Sequence, residues 1–253
     1  MAAPARRSTA EGEAAARAAA APAPSAAALS RAEETLVRRC LTPRPRTLEG
    51  GTGDGRIVAA LAQRGFGDLH AFEVDAAAME AARPREPSGV VQLTVQDPTR
   101  LTYEDGRFAQ VLYLRDLLCA LDDAGDRARA LREAWRVTAP GGVAIFGFLC
   151  EEARDEPRPA LRHRRSAAPL RRALGRAPGP ARPASAPGDH RPHAHWWRID
   201  ETARLLDRAG FAIEAAGSTA QLERGELLDR PEQLDAGTAE GRLYVVCTRP
   251  RPG

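Results

Sequence analysis

Apolar residues fall into short runs along the chain, and each change of period marks a predicted element. Residues 1–28 show no apolar period and read as a disordered Ala/Pro-rich tail. From Arg31 to Cys40 a short helical pattern follows, with Ser30 as N-cap and Glu33 as its capping-box partner. Pro43 and Pro45 force extended backbone. Beyond them strand and helix patterns alternate, which predicts a parallel sheet with crossover helices. The predicted strands are Arg46–Glu49, Leu69–Glu73, Val90–Val95, Phe108–Leu114 and Val143–Phe148, the last entered through Pro140-Gly141-Gly142. Between them, helices are predicted at 56–64 (ended by Gly65), after the capping residue Asp75 with Met79 and Ala82, and at 126–137. In the third of these, Leu131, Ala134 and Trp135 share one face. The pattern breaks over 151–194, dense in Arg and Pro, and resumes at Trp196-Trp197. Asp200 is placed to cap a helix through Leu205, Leu206 and Ala209, ended by Gly210. Phe211–Ala215 and Leu243–Thr248 read as two closing strands.

Length and composition refine this picture only slightly. A chain of 253 residues holds one α/β domain with a full core, here 29–249, with a flexible insertion at 151–194. All 37 basic residues are Arg, and Ala and Pro are over-used, which a GC-rich coding bias explains without a polyanionic partner. A net charge of +3 is too small to argue for nucleic acid. Cys40, Cys119, Cys150 and Cys247 lie far apart without CxxC spacing, and read as reduced thiols of a cytoplasmic protein. No apolar run approaches the ~20 residues of a membrane span. Glu11 and Glu13 interrupt the place where a secretory signal would need its apolar stretch.

The candidate chemistry begins at Gly50-Gly51-Thr52-Gly53-Asp54-Gly55, between a strand and a helix. Glycines there let backbone approach a ligand, and the helix start offers free N–H groups. A dinucleotide fingerprint, G-x-G-x-x-G, would need glycine where Arg56 stands, so hydride transfer is disfavoured. The chain offers E-x-G-x-G-x-G instead, from Glu49 through Gly51, Gly53 and Gly55. That pattern resembles motif I of the class I S-adenosylmethionine-dependent methyltransferases. The resemblance implies that Glu49 orients the methionine part of the cofactor, with Thr52 in the same loop. Glu73, twenty residues beyond Gly53, then matches the acid that accepts both ribose hydroxyls, with Val74 beside it. Gln96-Asp97-Pro98 resembles the family's adenine site, and Leu114 stands where a wall of that pocket is expected. The stretches 134–142 (AWRVTAPGG) and 205–211 (LLDRAGF) resemble later family landmarks.

The implied fold is an α/β, Rossmann-like, doubly wound sheet of seven strands with helices on both faces. It is mostly parallel, with a C-terminal antiparallel pair. The implied reaction is in-line displacement of a methyl group from S-adenosyl-L-methionine onto an O, N or C nucleophile of a small-molecule acceptor. Protein or RNA methylation, and a non-catalytic scaffold that keeps the fold, remain as alternatives. Departures from the family bear on this choice. Ala109 and Gln110 replace the usual Asp after Phe108, and Leu114-Arg115-Asp116-Leu117 lacks the Asn-Pro-Pro-Tyr-like signature of amino-directed enzymes. Between Arg154 and Arg198 eleven Arg face three acids, which would suit an anionic substrate if the segment formed a lid. His190, His193 and His195 lack a carboxylate or thiolate at ligand spacing, so no metal is expected. His195 is a candidate general base, and no residue is assigned as catalytic.

Overall fold

The computed structural model describes residues 29–82, 89–153, 194–229, 234 and 239–253. The tail at 1–28 and most of the insertion at 151–194, with His190 and His193, lie outside them. In chain order the elements are α1 (Arg31–Cys40), β1 (Thr47–Gly50), α2 (Arg56–Gln63), β2 (Leu69–Glu73), α3 (Ala76–Ala82), β3 (Val91–Val95) and β4 (Phe108–Tyr113). There follow α4 (Ala124–Val137), β5 (Thr138–Leu149), α5 (Ile199–Arg208), β6 (Ala212–Ser218), α6 (Thr219–Glu223) and β7 (Arg242–Thr248).

The strands form one sheet in the order β3-β2-β1-β4-β5-β7-β6. All pairs are parallel except β7, which runs antiparallel to both β5 and β6. The period-two alternation of a strand divides the core between the two faces. Leu112 and Leu114 join Ile57, Leu61 and Leu36 on the face covered by α1 and α2. Val111 and Tyr113 join Leu131, Ala134 and Leu206 on the face covered by α4 and α5. The order reverses between β1 and β4, and the crevice outside the carboxyl ends at such a reversal is where sheets of this kind hold ligands. The Gly-rich loop follows β1 and therefore lies there.

Four local features depart from the sequence pattern. β5 starts at Thr138 rather than Val143, because 139–142 bulges out between the Phe108↔Thr138 and Gln110↔Val143 pairs. Gly141, at φ 78°, donates its N–H to Arg249 O, and Arg249 N–H returns to Gly142 O, which pins that arch to the C-terminal segment. α4 begins earlier, capped by Asp123 rather than at Asp126. α5 is not capped by Asp200, which pairs with Arg198 and Arg204; its Ile199 N–H instead meets the Glu152 carboxylate at 3.2 and 3.3 Å. α6 has too few residues to show a period, yet carries a full capping box of Ser218 and Gln221.

The Ser30–Glu33 capping box forms as the sequence predicts, and Glu33 does more. Its carboxylate is 4% exposed and accepts Arg56 Nη1 at 2.8 Å and Nη2 at 2.7 Å, tying α1 to the first residue of α2. Burial raises this carboxyl, but the Arg56 hydrogen bond, the Ser30 N–H and the Arg56 charge outweigh it and hold it below its ordinary value. Glu33→Gln is expected to cost about 2–3 kcal/mol at neutral pH, below the range for wholly buried pairs because Arg56 is a quarter exposed. A lowered folded-state pKa means the contribution is complete above the ordinary carboxylate range and disappears as pH falls through the folded value. Melting curves of both proteins should therefore separate at pH 7 and draw together once pH falls well below the ordinary carboxylate range; a constant separation would refute the assignment.

Candidate cofactor and active site

The Gly-rich loop is built by close approaches that only glycine permits. A Cβ on Gly51 (φ 70°) would lie 2.9 Å from Leu117 Cβ, and one on Gly55 (φ 76°) would lie 2.9 Å from Ala82 Cβ. Gly51 and Thr52 N–H both donate to Phe72 O, so the loop is drawn over the end of β2. Gly55 is the N-cap of α2 in left-handed conformation and provides no side-chain cap.

Register staggers the three strand-end acids along the carboxyl edge, each two residues beyond the last. Glu49 pairs with Ala71, and Glu73 pairs with Val95, two residues before Asp97. Glu49 is 1% exposed, and its Oε2 accepts the Thr52 hydroxyl at 2.7 Å. Its visible partner is therefore the loop. Burial pushes its carboxyl up to about 7, against the opposing pull of the Thr52 hydrogen bond and of Arg115 and Arg56. Glu73 is half-buried; Oε2 accepts the Gly53 N–H and Oε1 the Val74 N–H, each at 2.8 Å. Asp97 is half-buried, and its Oδ1 accepts both the N–H and the hydroxyl of Thr99 at 2.8 Å, while Pro98 is buried. Leu114 is 2% exposed and belongs to the α1/α2 face of the core. Carboxylates at successive strand ends beside a Gly-rich loop suit a ligand with hydroxyls and an amine to donate, and would repel a pyrophosphate.

Residues 48–146, from β1 into β5, match the Methyltransf_11 family, described as a methyltransferase domain. Over that stretch the chain is similar to a methyltransferase domain, and its sheet order is that of a Rossmann-like fold.

Solved structures share this methyltransferase fold at low identity. One is a SAM-dependent methyltransferase of Thermotoga maritima, described as a possible histamine N-methyltransferase. It is 21% identical, covering 87% of this chain and 88% of that one at TM-score 0.55. A methyltransferase from Mesorhizobium loti is 19% identical over 86% of this chain and 98% of its own, TM-score 0.57. The 4+2 cyclase SpnF is 18% identical over 87% and 80%, TM-score 0.58. No curated protein sequence matches the chain.

Beside the loop, the chain carries groups that its sequence pattern did not mark. Arg115, two residues past β4, lays its guanidinium on the loop, with Nη1 at 2.8 Å from Asp54 Oδ1. Its neighbour Asp116 pairs with Arg242 of β7. Residues 195–197 run along the carboxyl ends of β4 and β5: His195 N–H donates to Cys119 O, and Trp197 N–H to Leu149 O, each at 2.8 Å. His195 Nε2 lies 3.0 Å from Glu201 Oε1, and its ring meets Trp197 edge-on at 4.7 Å. Trp197 is fully buried; Trp196 is half-buried. An apolar cleft of about 460 Å³ lies between α5 and β6/β7, lined by Ile199, Ala203, Ile213, Leu243 and Val245. None of the Gly-rich loop residues or strand-end acids lines it. No helix among the described residues is long and apolar enough to cross a membrane.

Proposed function

We propose that this protein transfers a methyl group from S-adenosyl-L-methionine to an O, N or C nucleophile of a small-molecule acceptor. The observation that supports the reading is the pair of carboxylates at 49 and 73, fastened to the Gly-rich loop by the Thr52 hydroxyl and the Gly53 N–H, with Asp97 past the end of the next strand. When bound, the cofactor supplies an electrophilic sulfonium methyl. The protein's part is to hold and orient. Glu73 keeps lone pairs for the ribose hydroxyls, Asp97 faces the adenine amine, and Glu49 with Thr52 sets the loop backbone under the methionyl group, alongside Gly51, Gly53 and Gly55. Alignment of nucleophile and methyl carbon accounts for about 7–11 kcal/mol of barrier lowering in well-oriented systems, so no covalent partner is required. For a hydroxyl acceptor, His195 held by Glu201 is the base we nominate. Unchanged turnover of His195→Ala across pH would remove that nomination.

Protein or RNA is the alternative class of acceptor. The fold also hosts the 4+2 cyclase SpnF, so binding and transfer are to be measured separately. Calorimetry with S-adenosylmethionine tests the first. Labelled-methyl transfer to a metabolite extract, total RNA and lysate protein tests the second. No binding at millimolar cofactor would favour the scaffold.

The Glu49 environment gives binding a distinctive pH signature. Its raised pKa means that the free protein holds this proton below about 7, and a cationic ligand expels it. Affinity is expected to climb with pH by up to about tenfold per unit between pH ~5 and ~7 and to level off above. Glu49→Gln should flatten the profile. A wild-type profile that is already flat would show that Glu49 does not sense the ligand.

A further inference from the structure

Two guanidinium groups act on Glu49 across the loop, Arg56 and Arg115, and they are committed very differently. Arg56 is gripped by both oxygens of the buried Glu33 carboxylate. Arg115 is 39% exposed, and its Nη1 is held by the Oδ1 of Asp54, itself 41% exposed. Its position is built rather than incidental. A Cβ on Gly53 would lie 3.1 Å from Arg115 Nη1 and 3.4 Å from its Cζ, so the guanidinium rests against the bare face of that glycine. The strands that deliver them, β1 and β4, are neighbours where the order reverses, which sets Arg115 over the mouth of the crevice. Beside it are its partner Asp54 and the buried Glu49 on which its charge acts, and Glu73 accepts the N–H of the same Gly53 it rests on, groups suited to the cationic and hydroxyl parts of a nucleoside sulfonium. A methionyl tail also bears a carboxylate, and that needs a cation.

We infer that Arg115 is the specificity-determining residue that reads the ligand's carboxylate, exchanging Asp54 for it on binding. This inference rests on the cofactor reading above. The exchange is physically cheap, since an exposed ion pair contributes little, whereas a guanidinium fork takes a ligand carboxylate with two parallel charge-assisted bonds. Asp54 acts as the placeholder that keeps the side chain over the loop before the ligand arrives. The net gain, a charge-assisted bidentate bond less a weak surface pair, is on the order of tenfold in affinity.

The test compares S-adenosylmethionine with its decarboxylated analogue, which keeps the sulfonium, amine and nucleoside, by calorimetry on the full chain. Wild type is expected to prefer the intact ligand by about tenfold or more. Arg115→Gln should lose about that factor for the intact ligand, with less than about twofold change for the analogue, so that the two converge. Arg115→Lys, which keeps the charge but not the fork, should fall between. Arg115 is partly exposed, so these variants are expected to fold; their melting curves check it. Equal weakening of both ligands would make Arg115 a loop prop and overturn the inference, as would no weakening of either. Wild type that binds neither ligand would overturn the cofactor reading together with it, whereas tight wild-type binding unaffected by Arg115→Gln would sink the inference alone.

Discussion

Gly50→Ala is expected to destabilise the fold by about 3 kcal/mol, the upper end of what overpacking costs, and to weaken ligand binding in the same step. Gly50 is the last residue of β1, where the loop begins. A Cβ there would lie 2.3 Å from Tyr113 Cε1 and 2.7 Å from Phe72 Cζ. Neither ring can swing away. Phe72 and Tyr113 meet edge-to-face at 5.8 Å, and Tyr113 meets Phe146 in the same manner at 5.7 Å, all three fully buried. The clash therefore spreads across β2, β4 and β5. Relief requires β1 to shift, and the loop shifts with it. A denaturant midpoint is the measurement, with Gly50→Ala/Tyr113→Leu as the control that should recover part of the loss. Wild-type stability in the single variant would refute the packing argument.

Trp197→Ala is expected to cost about 3–5 kcal/mol, the range for deleting a large buried aromatic. The indole packs on Phe148 at 5.1 Å, carries the Arg127 guanidinium over its face at 5.5 Å, and supports the His195 ring. Removing it empties the space between the end of β5 and the start of α5. Trp197→Phe keeps most of the contact and should cost about 1–2 kcal/mol. Equilibrium unfolding gives the magnitudes, and hydrogen exchange at 195–197 gives the location. A loss under about 1 kcal/mol for Trp197→Ala would mean that the site collapses around the cavity.

Much of this architecture can be read from the residues, and the failures have physical causes. The bounds of β2 and the Ser30–Glu33 box agree with expectation because both are local patterns, one of period two and one of three-residue spacing. The positions of Glu49, Glu73 and Asp97 are equally legible as strand ends. Their uses are not. That Glu49 turns inward to Thr52, and that Glu73 reaches Gly53 of another loop, depends on which strands become neighbours. Arg115 could have been singled out only by knowing that β4 lies beside β1, since nothing in Leu114-Arg115-Asp116 has a period. The arch at 139–142 escaped for the same reason, because the Arg249 backbone that fixes it comes from the far end of the chain.

The start of α5 has a consequence for how the carboxyl edge of the sheet responds to perturbation. Arg198 offers that helix no side-chain cap, and the carboxylate that meets its first N–H belongs to Glu152, just past β5. The helix thus borrows its origin from the sheet. Any displacement of the Glu152 backbone is handed directly to Ile199 and, one half-turn on, to Glu201 and the imidazole it holds. The His195–Glu201 pair and the end of β5 are one mechanical piece, geared through a single carboxylate.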